Sequence, residues 1–369
     1  MQGQRQSDDL QQETPRLDDS ELHVKQPVNA HPRLRAAYSS LYIEDRGRSL
    51  THSNQEIEPT RIEKGRRSVT RPITAPGVTG QYAQMDGDRA YCISNSHLMP
   101  EFFMTLVSSS DHWMFISSHG ALTTGRTNAN SALFPYYSAD KIADMRHCTG
   151  TLTVLRVRDK DGTEQLWQPF SPQWVNDPQL VRNLYKNDFG NKLWFEEINE
   201  SLGLCFRYRW TFGDRFGMIR SCEIQNLTNE PRTIELLDGL QNILPCGIDQ
   251  FFQLRFSNLA DAYKKSELDP ESGLGIYYLS SIPTDRAEPS EGLRATTVFQ
   301  TGLPDAEILL SSRQIPTFLL NGQVSEEVDV RAHRGAYLAK SCIEIDANQS
   351  FRWQMVASLN QDQTDVINR

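Results

Sequence analysis

The chain has 369 residues, and its 38% hydrophobic and 23% charged content is typical of a globular protein with a large buried core. The formal net charge of −9 argues against non-specific nucleic-acid binding, which depends on clustered basic residues. No apolar run approaches the roughly 20 residues of a membrane-spanning helix, and the polar N-terminus lacks the apolar region of a secretory signal. We therefore expect a cytoplasmic protein without a membrane or nucleic-acid partner.

The N-terminal segment, residues 1–75, is rich in Gln, Asp, Glu, Arg and Ser. A segment with so few large apolar side chains cannot bury enough surface to offset the entropy that it loses on folding. We therefore predict a flexible polar arm over residues 1–75, in which Ala36–Ile43 is the stretch best suited to dock on the main body. A β-sandwich domain is expected over residues 76–359.

Alternating apolar and polar residues predict strands along this domain. In Leu204–Phe212 apolar residues alternate with arginines and other side chains, and Phe351–Ala357 alternates in the same way. In Thr151–Arg158 the apolar phase slips between Val154 and Leu155, which predicts a β-bulge.

Turn residues separate the predicted strands. Asp161-Gly162 follows Thr151–Arg158 and precedes Leu166 and Trp167, so this dipeptide predicts a hairpin. Two further turn signals separate strand-like runs: Asn226–Pro231 lies between Met218–Gln225 and Arg232–Leu237, and Asn321-Gly322 lies between Phe318–Leu320 and Gln323–Val330. Strands at this spacing favour antiparallel sheets packed as a sandwich.

Two segments have helical patterns. Asn176–Asn187 begins with an N-cap residue and places Leu180, Val181 and Leu184 at helical spacing. One helix face of Phe252–Leu268 carries Phe252, Phe256, Leu259, Ala260 and Tyr263. The predicted fold class is therefore mostly β, a large antiparallel β-sandwich with a few short inserted helices.

The region of residues 111–137 combines glycines with side chains that suit sugar recognition. Sugar hydroxyls bind planar donors and acceptors, and an aromatic face can stack on a pyranose ring. The candidate sugar-rim residues are Thr124, Arg126, Asn128, Asn130 and Tyr136. The same polar side chains could instead satisfy the loop's own backbone, and the sequence leaves both interpretations open.

A second candidate segment, residues 280–290, contains two prolines that fix an irregular loop and a concentration of charge. Long ordered loops of this kind are often functional. Asp285, Arg286 and Glu288 are candidates for the rim of a sugar site, a domain interface or a subunit interface. A surface ion pair satisfied within the loop is the alternative.

Residues with metal-binding or acid–base chemistry give weak signals. His112 and His119 have no third ligand near them in the sequence, so packed histidines are expected rather than a metal site. Glu196 and Glu197 lie in a predicted strand, where neighbours point to opposite faces, and are expected on a solvated face. The six cysteines form no Cys-x-x-Cys pair, so we expect reduced, mostly buried thiols.

Sequence motifs of nucleophilic, phosphate-binding, metalloprotease and dinucleotide sites are absent. No catalytic residue, metal ligand or cofactor is therefore assigned. Glycosidic chemistry needs only two well-placed carboxylates, and sequence spacing cannot reveal these.

Several segments resemble the N-terminal part of large bacterial proteins related to the cellobiose phosphorylases of glycoside hydrolase family 94. The segments that carry the resemblance are Ile116–Arg126, Ala132–Tyr137, Trp167–Pro172, Arg215–Arg220, Gln225–Thr228 and Leu237–Pro245. The resemblance extends from Gln81 to Asp365, and none of these motifs is catalytic. The long polar arm is a departure from the simple phosphorylases.

The resemblance implies a β-supersandwich of the galactose-mutarotase type that precedes a helical linker and an (α/α)6 barrel. The barrel would hold the general-acid carboxylate and the phosphate site, and inorganic phosphate would be its substrate if the enzyme is a phosphorylase rather than a hydrolase. We expect this barrel outside the chain, with residues 360–369 as the start of the linker. The implied partners are the C-terminal helical barrel, the oligosaccharide substrate of the full-length enzyme and a second copy in a possible homodimer.

Three functions are consistent with these observations. The first is a non-catalytic sandwich that packs on a barrel and lends loops to a sugar site. The second is a free-standing mutarotase-like epimerase, which needs a histidine acid and a carboxylate base and for which His119, His147 and His333 are the available histidines. The third is a carbohydrate-binding or assembly module with no enzyme attached.

Overall fold

A computed structural model describes residues 77–158, 162–174, 177–281 and 294–368. Met1–Thr70 and Arg71–Arg369 divide as two units, and every described residue belongs to the second. The predicted arm with Ala36–Ile43, and the candidate residues Asp285, Arg286 and Glu288, lie outside the described residues.

The largest element is an antiparallel sheet of eleven strands. In spatial order its strands are β1 (Thr79–Met85), β2 (Asp88–Ser94), β8 (Leu180–Asn187), β9 (Leu193–Asn199), β10 (Leu204–Gly213), β11 (Gly217–Asn226), β19 (Ser350–Gln361), β15 (Ala295–Thr301), β14 (Leu274–Leu279), β13 (Lys264–Asp269) and β17 (Asp329–Arg331). The sequence-distant pairs β2–β8 and β11–β19 join its segments.

Two smaller sheets and five short helices complete the described part of the chain. The five-stranded sheet has the order β16 (Glu307–Leu309), β18 (Gly335–Ile345), β12 (Arg232–Ile243), β6 (Gly150–Arg158) and β7 (Glu164–Trp167), and the three-stranded sheet has β3 (Phe103–Leu106), β4 (His112–Ser117) and β5 (Leu122–Arg126). The helices are α1 (Ala139–Asp144), α2 (Gln250–Arg255), α3 (Ser257–Tyr263), α4 (Ile315–Asn321) and α5 (Gln363–Ile367). Among these helices none has the length and apolar character that crossing a bilayer requires.

The predicted fold class is confirmed, because the described residues form large antiparallel sheets with few short helices. Leu204–Phe212 and Phe351–Ala357 lie in strands β10 and β19, and their apolar residues enter the main core. The hairpin predicted around Asp161-Gly162 is the β6–β7 pair. The turn Asn226–Pro231 separates two strands as predicted, and it connects the large sheet to the five-stranded sheet.

The bulge predicted in Thr151–Arg158 is wrong, since β6 pairs with β12 in continuous register. The five-stranded sheet is buried on both faces. Leu155 enters the main core against the large sheet, whereas Val154 belongs to a second core that contains Phe318 of helix α4. Consecutive apolar residues are therefore the normal pattern of a strand that is covered on both sides.

Two secondary-structure predictions are also wrong. Residues 180–187 form strand β8 rather than a helix, because the spacing between Leu180 and Leu184 places both on one face in a strand as well as in a helix. Phe318–Leu320 belongs to helix α4 rather than a strand, and Gly322, with φ of 75°, ends that helix instead of turning a hairpin.

The helix predicted over Phe252–Leu268 exists only in part. Helices α2 and α3 occupy Gln250–Tyr263, and the chain then continues as strand β13 from Lys264.

All six cysteines are free, and three of them, Cys92, Cys205 and Cys222, are buried.

A buried ion pair joins the eleven-stranded sheet to the five-stranded sheet. Arg220 of β11 donates from Nη1 to both carboxylate oxygens of Asp238 of β12, at 2.9 and 2.8 Å, and neither side chain is exposed. Asp238 also accepts from Thr153 Oγ1 at 2.6 Å and from Trp353 Nε1 at 2.7 Å. The guanidinium lies 5.0 Å from the ring centroid of Tyr208. These contacts compensate the cost of burying the two charges.

Candidate functional site

The polar residues predicted at the sugar rim lie on and after strand β5. Thr124 is buried and donates from Oγ1 to the Trp113 carbonyl oxygen at 2.6 Å. The Asn128 side-chain oxygen accepts from the Asn130 backbone N–H at 3.0 Å, and Arg126 donates its own backbone N–H to Ser131 at 2.8 Å. Thr124 and Asn128 thus satisfy backbone groups of their own region, which is the structural alternative for these two side chains.

Asn130 and Tyr136 connect the same loop to its surroundings. The Asn130 side-chain oxygen accepts from the Gln250 backbone N–H of helix α2 at 3.1 Å. Tyr136 packs edge-on against Trp113, with ring centroids 5.6 Å apart, and against Phe115 at 6.4 Å. The structure therefore places all five described candidates in one neighbourhood, beside an aromatic cluster and helix α2.

Helices α2 and α3 present an exposed apolar surface, which we call the helix-pair patch. Its members are Phe251, Leu254, Phe256 and Leu259, with exposed fractions of 62%, 46%, 47% and 44%. The opposite side of the pair is anchored, because Phe252 and Ala260 are buried against Leu244, Ile248 and Leu279. Four large apolar side chains together on an anchored surface are typical of an interaction site.

A cleft of about 220 Å³ lies on the face of the large sheet that points away from the main core. Arg207, Glu223 and Arg352 line this cleft. Together with the neighbouring Glu196 they form a cross-strand row of alternating charge, here called the charged row: Glu196, Arg207, Glu223 and Arg352 on β9, β10, β11 and β19. Arg207 donates to Glu196 at 2.9 Å and to Glu223 at 3.0 Å, and Arg352 donates to Glu223 at 2.9 Å. Opposite charges placed across antiparallel strands stabilise one another.

The carboxylates at this cleft are engaged by cations. Asp86 accepts from Arg209 at 2.6 Å and from the Trp194 indole at 3.1 Å. Burial alone would raise the pKa of Glu196, but Arg207 and hydrogen bonds from Asn183 and Tyr185 outweigh it and hold that pKa below its ordinary value. A carboxylic acid that donates a proton near neutral pH needs the opposite shift.

The solvated face predicted for Glu196 and Glu197 is wrong, because both side chains are buried. They do point to opposite faces of the sheet. Glu197 accepts from Arg182 Nε at 2.6 Å, from Trp167 Nε1 at 2.8 Å and from the Phe170 backbone N–H at 2.7 Å. Glu197 therefore anchors the segment that follows strand β7.

Two histidines lie beside a cavity of about 20 Å³, room for roughly one water. His97 Nδ1 and His119 Nε2 are buried and have no hydrogen-bond partner among the described residues. His119 Nδ1 lies 3.9 Å from the Glu101 carboxylate. Burial lowers the pKa of both histidines, and nearby Arg182 lowers it further. Two imidazoles with lowered pKa values therefore adjoin one small cavity.

The other histidines are separate from this cavity. His112 is buried, shares a hydrogen bond with Ser110 at 3.0 Å and stacks on Phe212 at 5.5 Å between centroids. His147 is exposed, and His333 Nε2 lies 3.5 Å from Arg313 Nη1. Within the described ranges no group of three or more histidine, cysteine or acidic side chains could hold a metal ion.

No family model and no curated protein matches this sequence. Solved structures that are similar include a bacterial glucoamylase complexed with acarbose, with 8% identity and a TM-score of 0.42 over 79% of this chain and 36% of that one. A GalM/aldose epimerase homologue from C. elegans has 11% identity and a TM-score of 0.41 over 72% of this chain and 100% of that one. This chain thus spans about a third of the glucoamylase's length. At these identities and TM-scores the similarities assign no activity to this chain.

Three features of the site were not predicted from the sequence. The charged row needs the strand register, since Arg352 is far along the chain from Glu196. His97 gives no local signal, because only the fold brings it beside His119. The helix-pair patch had only a partial signal: Phe251 and Leu254 fall outside the apolar face predicted for Phe252–Leu268, whereas Phe256 and Leu259 belong to that face and are nevertheless exposed.

Proposed function

We propose that this chain is the non-catalytic sandwich domain of a carbohydrate-active enzyme related to the cellobiose phosphorylases. It would dock on a helical barrel through the helix-pair patch and lend Asn130, Tyr136 and neighbouring loop residues to the rim of a sugar site. The observation that carries the proposal is the patch itself. Large apolar side chains exposed together are costly in water and mark a surface that another domain covers.

The position of the patch supports this function. Asn130 links the candidate loop to helix α2 through the Gln250 N–H. Asn360, at the end of strand β19, donates to Ser131 Oγ of the same loop at 3.1 Å. The candidate rim, the patch and the C-terminal strand are therefore neighbours, so a domain that follows the strand would reach both surfaces.

The electrostatics of the cleft support a binding or supporting role over catalysis. Glycoside chemistry needs one carboxyl group that stays protonated and a second one that is free to act. At the charged row each glutamate is paired with an arginine, and the pKa of Glu196 is lowered. Such groups are suited to holding a surface or hydroxyl groups in place rather than to donating protons.

The domain context is tested by the genomic sequence that follows the codon of Arg369. We expect a reading frame that continues for a helix-rich domain, and a stop codon there would favour the free-standing alternatives. The interface is tested by copurifying this chain with the helical domain expressed separately. Phe251→Ser with Phe256→Ser should abolish copurification, whereas Leu320→Ser, at the exposed end of helix α4, should not. Equal binding by all variants would contradict docking through the patch.

A mutarotase-like epimerase is the second candidate, favoured by one observation. His119 has an unpartnered Nε2 and lies 3.9 Å from the Glu101 carboxylate, so a histidine and a carboxylate, the two groups that this chemistry needs, lie close together. The cavity holds only about one water, so a sugar would enter only after the segments that line it moved apart. Polarimetry of aldose anomerisation tests this candidate, and its signature would be a rate that is lost in His119→Ala.

A further inference from the structure

Strand β1 forms one edge of the large sheet and lacks the features that usually protect an edge. In the described residues it pairs with β2 alone. Its sequence, TGQYAQM, contains no charge and no proline. The opposite edge, β17, has three residues and carries Asp329 and Arg331, paired with each other at 3.0 Å. Natural sheets protect exposed edges with short strands, charges or prolines, and β1 has none of these.

The hairpin turn shows which backbone groups of β1 face outward. Asp86 and Gly87, with φ of 49° and 87°, form a two-residue turn closed by Met85 and Asp88. The closing pair of such a hairpin is hydrogen-bonded, and bonded pairs then alternate along the strands. The N–H and C=O groups of Gln81, Ala83 and Met85 therefore face β2. Those of Gly80, Tyr82 and Gln84 face outward.

We propose that β1 pairs antiparallel with β1 of a second copy of this chain, across a two-fold axis at Tyr82. Tyr82 then faces Tyr82 of the partner subunit, and Gly80 faces Gln84 of the partner subunit. The outward groups of three residues on each strand form three bonded pairs with two hydrogen bonds each. The eleven-stranded sheets of the two copies then become one continuous sheet. This interface is independent of the helix-pair patch and of the proposed function.

The side chains of β1 fit a second copy of the same strand. In an isologous interface each residue near the axis meets its own equivalent, so a charged strand would repel itself. β1 meets no such repulsion because it is uncharged. Like charges at the axis would be the natural way to prevent this pairing, and the position holds Tyr82 instead.

Aromatic contacts would strengthen the pairing. Tyr82 packs edge-on against Tyr91 of β2 with centroids 5.4 Å apart, and the two rings are 59% and 45% exposed. Across the axis the rings would continue as a row of four tyrosines, because cross-strand aromatic pairs lie on one face. The Tyr91 ring also covers Gly80, where any Cβ would overlap its hydroxyl group. Gly80 therefore lets the Tyr91 ring lie across β1 on this face of the sheet.

Sedimentation velocity of the full chain over a range of concentrations tests the proposal. We expect a species of twice the monomer mass of 42.1 kDa. Tyr82→Lys and Tyr82→Glu should each sediment as monomers, since like charges meet at the axis. An equimolar mixture of the two variants should restore the dimer, because Lys then faces Glu. Leu320→Lys, an equally drastic change at the exposed end of helix α4, should leave the dimer intact.

Each other outcome would overturn the pairing. A monomeric wild-type chain would mean that the edge stays free or is covered by residues 1–76 of its own chain. A dimer that persists in Tyr82→Lys, or a mixture that stays monomeric, would exclude a two-fold axis at Tyr82. Thermal unfolding of each variant, compared with the wild-type chain, separates lost association from lost folding. If either charged variant is unfolded, Tyr82→Pro replaces it and should also give a monomer, because the N–H that proline removes faces outward and makes no hydrogen bond to β2.

Discussion

Replacing Asp238 by asparagine should destabilise the protein strongly, because it leaves the Arg220 charge buried without a counter-ion. Neither side chain of this pair is exposed, so water cannot replace the lost carboxylate. Removing one partner of a buried ion pair typically costs about 3–5 kcal/mol. Asparagine keeps the shape of the side chain and can still accept from Trp353, so the loss measures mainly the unpaired charge.

Urea unfolding followed by tryptophan fluorescence measures this loss. Arg331→Ala is the matched control, since the Arg331–Asp329 pair is largely exposed, and it should leave the urea midpoint unchanged. The double variant Arg220→Met with Asp238→Leu should lose less free energy of unfolding than the sum of the losses in Arg220→Met alone and Asp238→Leu alone, because no charge remains buried in the double variant. A loss below about 1 kcal/mol for Asp238→Asn, the size typical of an exposed pair, would refute the reasoning.

Two further predictions concern the cavity histidines and a close strand approach. Burial holds the pKa values of His97 and His119 below the ordinary 6.5, so the unfolded chain binds more protons and stability should fall as the pH drops below that value. As the pH falls below 6.5, the urea midpoint should decrease less steeply in the His97→Gln, His119→Gln double variant than in the variant of exposed His147, His147→Gln. Equal slopes would contradict the attribution of this pH dependence to His97 and His119. A Cβ at Gly239 would overlap the Tyr337 carbonyl oxygen, so Gly239→Ala should lower the melting temperature by several degrees, corresponding to at least about 1 kcal/mol, and an unchanged melting curve would contradict that close approach.

The sequence was sufficient to predict a strand where one face of the strand is buried and the other is exposed to solvent. Leu204–Phe212 shows this, since apolar and charged residues alternate and the strand lies as predicted. It was insufficient where local patterns fit two structures. The spacing of Leu180 and Leu184 suits a helix and a strand equally, and only pairing with β2 and β9 decides between them. In β6 the apolar slip reflects burial on both faces, which depends on helix α4 from a distant part of the chain.

The candidate site was predictable only in its local parts. The glycines and polar residues around Asn130 identified a loop, and the fold places this loop beside helix α2 and the aromatic cluster of Tyr136 and Trp113. Glu196 and Glu197 were misjudged because a charged residue in a strand is usually solvated, and their partners Arg207 and Arg182 are found only through register and packing. Long-range pairing therefore determines the electrostatics of the site.

The central claim is that this chain supports a sugar site without performing the chemistry. Its most direct test is turnover by the purified 369-residue chain, offered cellobiose with and without inorganic phosphate and, separately, a single anomer of glucose. Released glucose, glucose 1-phosphate and optical rotation are followed. We predict rates equal to those without protein in all three assays. Phosphorolysis, hydrolysis or anomerisation above that level, repeated with independent preparations, would contradict the claim.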